Sequence, residues 1–320
     1  MRILVTGAAG FIGSRLSRAL LERGDTVVGL DNFDPYYDVR HKRRNVADLT
    51  PHPRFTLVEG DFRDRKLVEE LFARHAFDVV AHIGAMAGVR YSITRPHLYT
   101  EVNVLGTINI FEAAREHGKP HVVFASTSSV YGNTDRIPFR EDDPADRPLA
   151  PYPASKRAGE LLAHSFHNLW GMSITCVRFF SVYGPHGRPD MMPWQWTEKI
   201  LRGEPLTLYD GGRLRRDWTY IDDIVAGVVA ALDRPLGYEI VNLGVGQPIE
   251  NVRFVRRLEE LLGREAHIVD TPTPPSEPFQ TFADISKARQ LLGYAPTTPV
   301  EEGLARFVEW YLAHVWPEEA

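Results

Sequence analysis

The chain has 320 residues, 43% of them apolar and 25% charged, with a net charge of −5 and a single cysteine, Cys176. That length can bury a substantial core, the acidic balance argues against a nucleic-acid partner, whose affinity rests on a basic surface, and a lone cysteine excludes an internal disulfide, in keeping with a reducing cytoplasm. The opening "MRILVTG" lacks the basic flank and long apolar run of a signal peptide, and runs such as "IVAGVVAAL" are too short to cross a bilayer, so no membrane association is expected.

In chain order, "RILVTG", "DTVVGLD", "RFTLVEGD", "FDVVAHI" and "HVVFAS" read as buried parallel strands, with "ITCVRF" as a sixth. Helical periodicity fills the gaps, as in "SRLSRALLERG", which closes on Gly24 as a C-cap. Strand and helix in alternation predict an α/β fold, a Rossmann-type doubly wound parallel sheet over residues 1–179. Beyond about residue 180 proline and glycine become frequent ("VYGPHGRPDMMP", "DTPTPPSEP") and strands few. Residues 180–320 are expected to form a smaller substrate-binding lobe over the sheet's carboxyl edge, with some segments returning to the first domain.

"TGAAGFIG" joins the first strand to the first helix. Gly7 permits the tight turn, Gly10 lets backbone approach a pyrophosphate, and Gly13 allows close packing, while Phe11 and Ile12 open a helix whose amides face the anion. Asp31 follows at the end of the second strand, where it would accept from a ribose 2′-OH and repel a 2′-phosphate, so NAD is expected rather than NADP. Asn32 lies beside it, and Asp61 and Phe62 of "GDFRD" are placed to hold an adenine. No metal is expected.

"APYPASKRAGE" sets Tyr152 and Lys156 one turn apart on a helix expected to start near Ala154. A free phenol has a pKa of about 10, so it serves as a base at neutral pH only if nearby positive charge lowers that value. Thr127, in "FASTSSVYG", comes from the carboxyl edge of the fifth strand and could share a proton with Tyr152. The hydroxyl of Ser126 is expected only to satisfy loop backbone.

Together, "TGAAGFIG", "YPASK" and "STSSVYG" resemble the extended short-chain dehydrogenase/reductase family over essentially the whole chain. The resemblance implies a catalytic Thr127, Tyr152 and Lys156, an NAD that is tightly bound and not consumed, further cofactor contacts from Ile83, Ala85, Asn103 and Phe180, and a homodimer with "TEVNVLGTINIFEAAREHG" at its seam. Related dehydratases and decarboxylases carry a carboxylate just after the catalytic hydroxyl residue. Here Ser128 and Ser129 follow, which leaves the scheme of a nucleotide-sugar 4-epimerase: oxidise at C4, turn the keto sugar, reduce on the other face. By the same resemblance Arg216 of "RRDWTY" meets the diphosphate, Leu208 and Tyr209 cradle the uracil of a UDP-sugar, and Glu277 holds its ribose, although Pro274 stands where many hexose epimerases carry arginine.

"DNFDPYYDVRHKRRN" and "RFFSVYGPHGRPDM" are similar to UDP-glucuronate 4-epimerases. This implies that Ala87, Thr127, Ser128 and Ser181 surround the sugar and its carboxylate, with Arg188 on carboxylate or phosphates. His186 stands where tryptophan is usual, and Gly84 and Met86 where alanine and glutamine are usual; Met86 is expected to fill the room this leaves. The 4-keto uronate is a β-keto acid, and neutral hydroxyl donors would hold its carboxylate ionised and turned away from decarboxylation. A neutral hexose nucleotide and a non-catalytic dinucleotide-sensing module are the alternatives.

Overall fold

The first residues already show how both faces of a sheet become covered. In β1 (Arg2–Thr6), Ile3 and Val5 point into one apolar layer and Leu4 into another, and all three are fully buried. The strands that follow, β2 (Thr26–Asp31), β3 (Phe55–Glu59), β4 (Val79–His82), β5 (His121–Thr127), β6 (Ile174–Phe179) and β7 (Tyr238–Leu243), complete a seven-stranded sheet. Its order is β7-β6-β5-β4-β1-β2-β3 and every pairing is parallel. The computed structural model describes residues 1–316.

One face carries the helices Phe11–Arg23 and Ile221–Leu232, through Leu16, Leu20, Ile224 and Val228. The other carries Arg65–Arg74, Gly106–Glu116 and Pro151–Trp170, through Leu71, Phe111 and Phe166. Each such side chain removed from water contributes about 1.5–3 kcal/mol. Gly24 ends the first helix in the left-handed conformation, its N–H bonded to Leu20 and Leu21 carbonyls, as the sequence indicates. The strand order reverses between β1 and β4, and ligands of such sheets sit outside the carboxyl ends of the strands there.

Six of the seven strands are those read from the sequence; β7 is the exception. "YEIVNL" is an edge strand, half-buried over its first three residues and interrupted by Glu239 and Asn242, so it shows no continuous apolar run. The later part of the chain also forms three short ladders: Ser181–Tyr183 with Trp218–Tyr220, Pro205–Tyr209 with His267–Thr271, and Arg215–Arg216 with Ile249–Glu250. Between them, buried Asp217 accepts from the backbone N–H of Val245, Gly246 and Ala283, which fixes the segment bearing Arg216.

Candidate active site

The glycine-rich turn is shaped by what it excludes. Gly7 has φ 68°, and a Cβ there would come within 2.7 Å of Gly84 Cα; a Cβ on Gly13 would fall 2.0 Å from the Gly7 carbonyl oxygen. The turn, the start of the first helix and the loop after β4 therefore pack backbone to backbone. They form one end of a cleft lined by Gly7, Gly10, Phe11, Ile12 and Gly13, then Ile83, Ala85 and Ala87. Asp31 lines it too, buried, its carboxylate accepting from Ala9 N at 3.0 Å and Phe33 N at 2.8 Å, with Lys42 Nζ at 3.5 Å. A carboxylate has about four lone-pair sites, so capacity remains for a ribose hydroxyl. Asn32 donates to Asp61 at 2.8 Å, and burial, which pushes the Asp61 carboxyl up, is outweighed by Arg63 and Asn32. Phe62 fills the space that Gly84 and Gly106 leave open, so Met86 is not the filler expected from sequence; it packs instead with Tyr99 and Val102. Asn103 does not line the cleft: its amide is used on Met86 and on Ser155.

Mid-cleft, Thr127, Tyr152 and Lys156 stand together with Ser128, Phe180 and Ser181. The Tyr152 helix begins at Pro151 rather than near Ala154, because a proline at the first helical position has no N–H to leave unpaired. The phenol of Tyr152 is raised by burial, against the hydrogen bond with Thr127 and the charge of Arg188. The lowered phenol expected from sequence is thus not a property of the protein alone, and Lys156 is not among the groups acting on it. Lys156 itself is pushed down to about 7, chiefly by burial. Its Nζ is buried without a hydrogen-bond partner, 4.2 Å from the centre of the Phe124 ring. An orphaned donor in the wall of this cleft fits a cofactor ribose, and the Cβ-free turn fits its diphosphate, so the residues present match NAD. Ser126 departs from expectation: it donates at 2.6 Å to buried Glu160, which also holds Arg178 in a two-point pair at 2.8 Å beneath the site.

At the far end Arg188 faces the cleft but is already paired, donating to Asp190 at 2.9 and 2.5 Å; Tyr36 donates to the same carboxylate at 3.1 Å. His186 does not enter the cleft. Its ring packs on Trp310, 4.9 Å between centres, and its Nδ1 meets Asn45 Oδ1 at 3.0 Å. Arg216, Glu277 and Tyr209 gather apart from the cleft lining, where Glu277 bridges Arg216 at 3.0 Å and Arg90 at 3.2 Å, and Arg90 lies over the Tyr209 ring. Burial lowers the pKa of Arg216 against the pull of Glu277. Leu208 is buried in the adjoining core. Arg213 pairs with Asp210 at the surface and Arg215 bonds the Pro248 carbonyl, both exposed. No role was expected for Lys42, Tyr36, Asp190 or Arg90, although the first three lie within "DNFDPYYDVRHKRRN" and "RFFSVYGPHGRPDM". Among the described residues, no group of three or more His, Cys, Asp or Glu could hold a metal ion, and no helix is long and apolar enough to cross a membrane.

A turn built for a diphosphate beside a tyrosine–lysine pair agrees with what this chain matches. The profile of the NAD dependent epimerase/dehydratase family covers residues 3–244. The chain belongs to this family. Within it, the chain is similar to UDP-glucuronate 4-epimerase 1 of Arabidopsis thaliana, 44% identical over 331 residues that cover 98% of this chain and 77% of that protein. Its structure is similar to that of UDP-glucuronic acid 4-epimerase from Bacillus cereus in complex with UDP-glucuronic acid and NAD, with a TM-score of 0.92 and 36% identity, covering 98% of this chain and 99% of that one. It is also similar, at 29% identity and a TM-score of 0.90 over 98% of this chain and 99% of that one, to the UDP-glucose 4-epimerase of Thermotoga maritima with UDP-glucose.

Proposed function

We propose that this family member interconverts UDP-glucuronate and UDP-galacturonate by NAD-dependent epimerisation at C4. The observation that carries the reading is the hydroxyl array around Tyr152. Thr127, Ser128 and Ser181 line the cleft beside the phenol, and no carboxylate stands next to Thr127 to drive elimination. NAD, when bound, supplies the acceptor and later donor of the C4 hydride, and a positive charge beside the phenol. Tyr152 Oη takes the proton of the C4 hydroxyl, with the Thr127 hydroxyl holding the shared hydrogen bond, and gives it back after the 4-keto sugar has turned. Lys156 holds the cofactor ribose through its orphaned Nζ. Proton and hydride both return to the substrate, so there is no net redox change.

Specificity for the uronate rests on neutral donors. Asp190 already neutralises Arg188, so the carboxylate meets the hydroxyls of Thr127, Ser128 and Ser181 rather than a bare guanidinium. Arg216, with Glu277 and Tyr209, is the anchor for the nucleotide while the sugar swings. Residues 1–179 supply the cofactor end and, through Thr127, Ser128 and Tyr152, part of the sugar site, while 180–320 supply the rest of the nucleotide-sugar site; the helix Ile221–Leu232 and strand β7 return to the first domain. Exposed Leu105, Leu161 and Leu169, on adjacent helical segments, support a homodimer. The buried free thiol of Cys176 and a sugar-nucleotide substrate support a cytoplasmic location.

Proton NMR of the purified protein with UDP-glucuronate and, separately, UDP-glucose, with no NAD added, tests this. A galacturonate anomeric signal in the first sample and no galactose in the second is expected. Turnover of UDP-glucose instead would move the enzyme to the neutral hexoses.

A further inference from the structure

The mechanism above leaves one fully buried histidine without a task. His82 ends β4, is 0% exposed, and its ring is held edge-on by Phe62 at 5.2 Å with Phe124 at 5.8 Å on another side. Both nitrogens have partners: Nδ1 lies 2.7 Å from Thr6 Oγ1, and Nε2 lies 3.0 Å from Thr107 Oγ1. The neighbours decide where the proton sits. Thr107 spends its hydroxyl hydrogen on the Asn103 carbonyl at 2.7 Å, so towards His82 it can only accept. Thr6 Oγ1 accepts the Gly84 N–H at 3.0 Å, and its own hydrogen is left for His82 Nδ1. The ring is therefore neutral and carries its hydrogen on Nε2. Burial, reinforced by the nearby charge of Lys156, pushes its pKa down to about 3 and keeps it that way.

The chain of bonds does not stop there. Asn103 accepts from Met86 N at 2.8 Å and donates to Met86 O at 2.9 Å and to Ser155 Oγ at 2.9 Å; Ser155 in turn donates to the Tyr152 carbonyl at 2.7 Å. One directed path thus runs from the amide of Gly84, through Thr6, His82, Thr107, Asn103 and Ser155, to the backbone of Tyr152. It joins both ends of the 84–86 loop to the catalytic helix.

We propose that His82 is a positioning residue. Locked as its Nε2–H tautomer, it fixes the loop 84–86 and Tyr152 relative to the glycine-rich turn, and so sets the distance between cofactor and base. This rests on the reading of the cleft as the site of C4 epimerisation. A misplacement of about 1 Å between reacting groups can cost about 10²-fold in rate. Loss of the path should therefore lower kcat, while KM, set largely at the remote nucleotide anchor, stays put.

Two readouts separate the inference from the functional reading. First, ¹⁵N NMR of imidazole-labelled, unaltered protein requires no turnover. It should show a pyridine-like Nδ1 and a pyrrole-like Nε2 on His82, unchanged from about pH 5 to 8; a pyrrole-like Nδ1, or titration in that range, would overturn the proposal. Second, H82Q keeps an acceptor and a donor on one side chain, whereas H82F keeps only the shape. H82F should lose about 10- to 100-fold in kcat at unchanged KM, with faster hydrogen exchange at the Gly84 and Met86 amides, and H82Q should recover most of both. Full activity in H82F, or H82Q falling as far as H82F, would refute a positioning role. If the unaltered protein turned over no nucleotide sugar, the functional reading would fall, and the tautomer and amide-exchange results would still decide whether His82 holds this wall.

Discussion

The two ends of the cleft are built on opposite principles. At the cofactor end, groups are fixed by the protein itself: backbone packs on backbone at Gly7, Gly13 and Gly84, and Asp31 is held by two amides. Little is left to rearrange except the orphaned Lys156 Nζ, which awaits a partner. At Arg188, and in the Arg216 cluster beyond the cleft lining, the charged groups are satisfied by one another, Arg188 by Asp190, and Arg216 and Arg90 by Glu277. On the proposed reading, a nucleotide sugar would compete with or share these pairs. The contrast teaches that preorganisation is spent where the hydride must pass, and exchangeable charge is kept where the ligand comes and goes.

Substitutions at each end should separate these behaviours. The largest effect is expected from Tyr152→Phe, which removes the proposed base without disturbing the rigid wall. Turnover should fall by about 10²–10⁴-fold, with melting temperature and bound NAD unchanged. A parallel loss of NAD would mean that the phenol also builds the cofactor end.

Next comes Glu160→Gln, which leaves buried Arg178 without its counter-charge and should destabilise the fold by roughly 3–5 kcal/mol in a denaturant titration. Burial pushes the Glu160 carboxyl up, but Arg178 above all, with Ser126 and Arg157, holds it below the ordinary 4.5. Its contribution is therefore complete above that ordinary value and lost as the pH falls through the lower folded-state value. The variant should show a shallower decline of stability in acid, and an unchanged acid profile would sever Glu160 from the support of the site.

The smallest effect is expected at the exchangeable end. Ser181→Ala should leave stability within about 0.5 kcal/mol and raise the share of decarboxylated pentose product, read by NMR of the nucleotide sugars. An unchanged product ratio and unchanged affinity would remove Ser181 from carboxylate recognition.

Legibility followed the same divide. Six strands of the sheet announce themselves as short, apolar-rich runs, and the glycine turn and the Tyr152–Lys156 pair lie within single local segments, so sequence was enough to place them. β7 escaped because Glu239 and Asn242 interrupt its apolar residues and it follows the proline- and glycine-rich part of the chain. Tyr36 with Asp190 and Arg90 with Glu277 escaped because their partners lie 154 and 187 residues away, and no local pattern joins them. The low phenol pKa expected at Tyr152 failed for a different reason: spacing brings a lysine near, but burial raises the phenol before any cofactor charge is present. Likewise His186, conspicuous as a departure from the related pattern, belongs to the support behind the cleft through Asn45 and Trp310.

The central claim, that hydrogen leaves C4 and returns to the same carbon inside one cleft, is tested most directly with UDP-glucuronate carrying deuterium at C4. The purified protein would be incubated with it in ordinary water without added NAD, and the UDP-galacturonate formed analysed by NMR and mass spectrometry. Retention of the deuterium at C4 in essentially all of the product is the predicted result. Its loss to water, or a requirement for added NAD before any product forms, would contradict the account.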